Sequence, residues 1–145
     1  MRRIILQDII VNQGEKATGY LKVCGTEQML PTTVICGNRD GKTVLITGGI
    51  HNAEYVGIQT AIELAAAITP EEVSGKLIFI PLTNRSGFEN RTMSLVYEDG
   101  KNLNREFPGD FAGTTAEKIC HFIEGELFLH ADCYIDLHCG DGDLL

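Results

Sequence analysis

Several things are missing from this sequence, and each absence narrows the reading. No uninterrupted apolar stretch comes near the 18 residues that mark a membrane-spanning helix, so no membrane partner is expected. There is no internal repeat and no low-complexity tract, which sets aside solenoids and biased linkers. Positive charge is scarce: 12 Lys and Arg stand against 20 Asp and Glu, for a net charge of −8. Nucleic-acid affinity comes largely from basic side chains neutralising phosphates, so no nucleic-acid partner is expected. The acidic balance does not exclude a small anionic substrate, because a local arginine can hold a carboxylate whatever the total charge.

The N-terminal Met1-Arg2-Arg3 leads into an apolar run, but Gln7 and Asp8 interrupt it and no small-residue cleavage site follows. No signal peptide is expected, and the protein is read as cytoplasmic. Five cysteines (Cys24, Cys36, Cys120, Cys133 and Cys139) form an odd set with no CxxC spacing. Reduced, mostly buried thiols fit that pattern better than a disulfide framework or a cysteine-only zinc site.

What is present suits a single globule: 43% apolar and 22% charged residues, with both signs scattered. Residues 1–41 form a leading β segment in which Arg3–Leu6, Thr18–Val23 and Thr32–Cys36 read as strands between Gly, Asn and Asp turn signals. Residues 42–145 change character. Lys42–Thr47 is a short apolar run closed by Gly48-Gly49, as for a strand covered on both faces. A helix is predicted from about Ala53 to Ile68, with Ile58, Ala61, Ile62, Ala65 and Ile68 on one side and Pro70 at its end. Lys76–Pro81 reads as a second buried strand.

From Asn84 to about Gly113 periodicity fades, and a loop this long in a compact domain is usually functional or disordered. Thr114 and Glu117 then have capping-box spacing ahead of an amphipathic helix through Ile119, Phe122, Ile123 and Leu127. In the final strand, alternation puts Tyr134, Asp136 and His138 on one face and Ile135 and Leu137 on the other. The order predicts an α/β fold with a mixed, mostly parallel central sheet flanked by helices.

Open α/β sheets gather ligands at the carboxyl ends of their strands, and two histidines fall there. His51 follows the strand ending near Thr47, and His138 closes the strand beginning near Tyr134. Glu54, three residues after His51, brings a carboxylate to the same side of one turn. An HxxE pair is common at helix starts and carries little weight alone. With His138 as a third donor from a neighbouring strand end, it makes the three-ligand set of a catalytic zinc with a fourth position left open. His121 and His130 have no partnering motif and are read as surface or packing residues.

Three segments in order carry a further signal: Gly48-Gly49-Ile50-His51-Asn52-Ala53-Glu54, then Asp99 through Gly109 with Asn102-Leu103-Asn104-Arg105, then Asp136-Leu137-His138. This set resembles the succinylglutamate desuccinylase/aspartoacylase family, which belongs with the zinc carboxypeptidases. The resemblance implies a zinc-carboxypeptidase-like fold, incomplete on its C-terminal side, and one zinc ion per chain on His51, Glu54 and His138. It further implies that Asn104 and Arg105 grip a substrate carboxylate and that Arg91 polarises the scissile carbonyl. In the family the general base is a glutamate well downstream of the third ligand, and no residue here matches it. Two positions depart from the pattern: Asn52 stands where glycine is frequent, and Asn102 where many relatives carry aspartate.

The implied activity is zinc-dependent hydrolysis of an amide in an N-acyl amino acid or similar small carboxylate, with the 145-residue chain inactive or incomplete alone. A zinc carboxypeptidase acting on peptides and a non-catalytic zinc-binding module stay open as alternatives. Unpaired sheet edges make a homo-oligomer a further expectation.

Overall fold

The computed structural model describes residues 2–140; Met1 and residues 141–145, including Asp141 and Asp143, lie outside the described residues. The strands are β1 (Arg3–Leu6), β2 (Ile9–Asn12), β3 (Glu15–Lys22), β4 (Met29–Cys36), β5 (Arg39–Gly48), β6 (Ser74–Ile80) and β7 (Cys133–Leu137). The α-helices are α1 (Tyr55–Ala67), α2 (Arg85–Asn90) and α3 (Thr115–Phe122).

β1 and β2 form an antiparallel hairpin of their own. The other strands make one five-stranded sheet in the order β3-β4-β6-β5-β7. It is mixed, as the sequence predicts: β3 with β4 and β4 with β6 run antiparallel, whereas β5 is parallel to both β6 and β7. Parallel neighbours need crossovers. Helix α1 spans β5 to β6, and the segment containing α2 and α3 spans β6 to β7. A register shift between Arg39 and Thr43 marks where β5 enters the centre of the sheet.

Continuous apolar runs in the central strands follow from two covered faces, because successive side chains point to opposite sides. Val34, Leu45, Ile78 and Ile80 face one way and pack with Ile119, Ile123 and Leu127. Ile35, Ile46 and Phe79 face the other way and meet Ala61 and Ala65 of α1. Each fully buried aliphatic or Phe side chain here contributes about 1.5–3 kcal/mol relative to exposure. Within α1, Ile58, Ala61 and Ala65 are buried as predicted, but Ile62 lies at the margin of the stripe and is 45% exposed.

The stretch from Asn84 to Gly113 is more ordered than its composition suggests. Besides α2 it holds a 3-10 turn at Leu103–Arg105 and a bridge between Leu95 and Asn102. Val96 and Leu103, both fully buried, pin it to the core. The Glu117 half of the expected capping box is formed, the Thr114 N–H donating to Glu117 Oε2 at 2.7 Å. Beyond α3 the chain continues through a π-type turn, Ile123–Leu127. No helix among the described residues is long and apolar enough to cross a membrane.

Candidate metal centre

The glycines that close β5 let three pieces of backbone meet. A Cβ on Gly48 would lie 2.9 Å from the Pro81 carbonyl oxygen, and Gly49 adopts φ +62°, which favours glycine. The N–H groups of Thr83 and Asn84 donate to the Gly48 and Gly49 carbonyls at 3.0 and 2.9 Å. The chain after β5 is thereby clamped against the chain after β6 before it turns into α1.

That turn presents the first two candidate ligands. Glu54 N–H donates to His51 O at 3.1 Å, so a tight turn ahead of α1, rather than a turn of the helix itself, brings the two side chains together. Glu54 is the N-cap residue of α1, yet its side chain makes no capping hydrogen bond. Its carboxylate instead faces inward with the residue only 5% exposed. Oε1 lies 2.9 Å from His51 Nδ1, and Oε2 lies 2.8 Å from His138 Nδ1 and accepts the Cys139 N–H at 3.0 Å. Burial by itself would raise the Glu54 pKa. The His51 hydrogen bond, the Cys139 N–H and the charge of both imidazoles outweigh it and hold the carboxyl below its ordinary range. Its place at the helix N-terminus favours negative charge as well.

The outer nitrogens of both rings are also engaged. His51 Nε2 lies 3.0 Å from Asn102 Oδ1, an oxygen that also accepts the Asn104 N–H at 3.0 Å. His138 Nε2 lies 2.6 Å from Asp136 Oδ2. Both outer partners are acceptors, so each can take an N–H from its ring while a metal occupies the inner nitrogen. The inner Nδ1 atoms then converge with Glu54, one donor atom from each residue lying within 4.8 Å of the others. Two nitrogens and a carboxylate oxygen suit zinc, and acceptors behind the histidines are the usual arrangement around ligating imidazoles. The donor set therefore fits the metal. His138 keeps a side-chain exposure of 33%, so the cluster opens on its side to solvent.

The remaining expected residues lie on two loops of the segment between β6 and β7. Asn104 is tied to it by backbone through Asn102. Arg105 is exposed, its Nη1 donating to the Asn104 carbonyl at 3.2 Å. Arg91 is exposed at the C-cap of α2 in the left-handed region, φ 57°. Its loop is joined to the ligand turn by the Ala53 N–H, which donates to Met93 O at 2.9 Å. Among the described residues neither Arg91 nor Arg105 pairs with a carboxylate.

Asn52 explains its own departure from glycine. It is 2% exposed, and its Oδ1 accepts from Asn84 Nδ2 at 3.0 Å, while Asn84 also donates to Leu95 O at 3.1 Å. This buried amide pair fastens the ligand turn to the loop behind it. The sequence marks Asn102 as a departure from aspartate and puts Asp136 on the face of His138 within the third motif; the structure sets both beside the two rings.

A five-stranded mixed sheet carrying a His-Glu-His cluster at its strand ends defines an α/β domain with a candidate metal site. Residues 40–144 match the succinylglutamate desuccinylase/aspartoacylase catalytic domain, and the chain belongs to that family. N-alpha-acetyl-L-2,4-diaminobutyric acid deacetylase of Halomonas elongata is 39% identical over 114 residues, covering 77% of this chain and 32% of the relative. The crystal structure of a succinylglutamate desuccinylase/aspartoacylase from Rhodobacter sphaeroides superposes with TM-score 0.81 at 33% identity, over 92% of this chain and 42% of that one. The product-bound ectoine utilization protein EutE (DoeB) from Ruegeria pomeroyi gives TM-score 0.82 at 35% identity, again over 92% and 42%. The chain thus spans about a third of the deacetylase's length and about two fifths of each of these structures.

Proposed function

We propose that residues 1–145 form the N-terminal part of the catalytic domain of a zinc-dependent hydrolase that cleaves the amide of an N-acyl amino acid or a similar small carboxylate. In this reading residues 42–145 carry the zinc-site core and the general base is supplied from outside the chain. The carrying observation is the convergence of His51 Nδ1, Glu54 and His138 Nδ1, with an acceptor behind each ring. Family membership and the likeness to a deacetylase favour the acyl-amino acid over a peptide.

His51, Glu54 and His138 hold one zinc ion per chain. When bound, zinc supplies Lewis acidity, polarising a carbonyl oxygen and acidifying water. The chain's own residues do the rest. Asn104 and Arg105, on the turn capped by Asn102, which backs His51, orient the substrate carboxylate; a planar guanidinium makes paired hydrogen bonds that a lysine cannot. Arg91 places positive charge where the carbonyl oxygen gains negative charge. We place the protein in the cytoplasm.

The test is zinc content of the purified chain beside a His138→Ala variant, followed by hydrolysis assays on N-acyl amino acids and on peptides. About one zinc per chain, lost in the variant, is expected from a three-ligand site. A folded wild-type chain that takes up no zinc overturns the reading. Zinc uptake with peptide cleavage and no deacylation moves the assignment to the carboxypeptidase alternative, and zinc uptake with neither activity is the outcome expected of the 145 residues alone.

A further inference from the structure

We infer that Thr47 and Tyr134 are positioning residues for the metal centre: through Asp136 they hold the His138 ring with Nε2 on that carboxylate and Nδ1 turned toward Glu54 and His51, as a metal ligand requires. The inference rests on the zinc reading above and assigns a purpose to two residues that reading does not use.

The register of the sheet builds the arrangement. β5 and β7 pair in parallel with Thr47 opposite Asp136 and Leu45 opposite Tyr134. Tyr134, Asp136 and His138 follow one another at alternate positions along one face, and Thr47 reaches the same face from the neighbouring strand. Thr47 Oγ1 lies 2.7 Å from Asp136 Oδ1 and 2.9 Å from the Tyr134 hydroxyl. The other oxygen of Asp136 meets His138 Nε2 at 2.6 Å.

Donor and acceptor counting leaves one direction for this chain. An ionised carboxylate only accepts, so Thr47 must give its single proton to Asp136. The Thr47 oxygen can then only accept from Tyr134, whose hydroxyl has no other partner among the described residues. Asp136, fixed from behind, accepts the His138 Nε2–H, and Nδ1 faces Glu54, where it would ligate a bound zinc. Tyr134 is held for this by its ring, which packs on Phe128 at 4.9 Å between centroids.

Thr47 has no other evident reason to be polar. It is fully buried and follows Leu45 and Ile46 in a strand covered on both faces, where valine has the same shape and equal strand preference. A hydroxyl there costs free energy unless it is hydrogen-bonded, and both of its bonds lie along the line to His138.

Zinc affinity of the full chain, measured by competition with a chromophoric chelator, tests the inference. Thr47→Val is expected to weaken zinc binding by about 10–100-fold, as loss of an outer partner typically does. Thr47→Ser should bind like wild type, and Tyr134→Phe should lose affinity by a smaller factor. Melting of the zinc-free proteins shows whether each variant is folded. A folded Thr47→Val that binds zinc like wild type, or a Thr47→Ser as weak as the valine variant, overturns the inference while leaving the zinc site intact. If Thr47→Val does not fold, Tyr134→Phe decides, and unchanged affinity overturns it. A wild-type chain without zinc affinity overturns the zinc reading, and the inference falls with it.

Discussion

Glu54 Oε2 and His138 Nδ1 are 2.8 Å apart although 84 positions separate the two residues along the chain. The contact exists because α1 starts where β5 ends and β7 pairs with β5 in parallel, so the helix start and the end of β7 lie at the same edge of the sheet. Helix and strand come close at Gly57, where a Cβ would stand 2.7 Å from the Leu137 carbonyl oxygen.

Gly57→Ala sets two effects against each other. Alanine gains about 1 kcal/mol over glycine inside a helix. Forcing a methyl group against a backbone carbonyl costs about 1–3 kcal/mol and is relieved only by moving α1 away from β7. The second effect dominates: the variant should melt lower than wild type and bind zinc more weakly, because Glu54 and His138 separate. Higher stability with unchanged zinc affinity would show that the contact is soft.

At Asn102 the backing of His51 is neutral, whereas His138 is backed by a carboxylate. A charged acceptor makes the stronger hydrogen bond and the more basic imidazole. Asn102→Asp should therefore tighten zinc binding, and Asn102→Ala should weaken it by about 10–100-fold. Chelator competition on both variants measures this, and equal affinities would remove Asn102 from any part in the site.

The residues that hold this site were unequally visible in the sequence. His51, Glu54 and His138 could be read because their spacing and their places at strand ends are local properties. The main helices are legible by period and the central strands by continuous apolar runs, but β2 is not, because Ile9-Ile10-Val11 is too short a run to separate from its turns. Helix α2 escaped likewise: six residues cannot display a helical period. Thr47 and Tyr134 were invisible as partners, since what joins them is the register of two strands distant in sequence. Asn102 could be marked as an unusual residue, yet its contact with His51 depends on how a long loop folds back over the sheet.

The five thiols should differ sharply in reactivity. Burial, with Glu106, Glu124, Asp99 and Glu117 adding negative charge nearby, pushes the Cys120 pKa up to about 12, and Cys36 is buried as well. Cys24 and Cys133 are exposed. Timed alkylation followed by mass mapping should label Cys24 and Cys133 first, and Cys36 and Cys120 only after denaturation. Cys120 Sγ donates to the Leu103 carbonyl at 3.3 Å in the core, and early labelling there would contradict that place.

Acid should act partly through the cap of α3. The Thr114 N–H, with Lys101 beside it, lowers the Glu117 pKa from 4.5 to about 2. A carboxyl with a depressed folded-state pKa stabilises the fold above its unfolded value, and that stability drains away as pH falls from about 4.5 toward 2. Glu117→Gln should flatten the stability profile in this window, as measured by denaturant melts across pH. A profile of unchanged slope would place the acid sensitivity elsewhere.

The parallel pairing of β7 beside β5 also makes the three-donor cluster depend on how firmly one strand is held. The turn after β5 carries His51 and Glu54, whereas the third donor comes with β7, which ends the sheet order among the described residues. An ion that binds all three donors binds only the docked form, so it would act as a latch on that edge, and chelation should loosen β7 before any other strand.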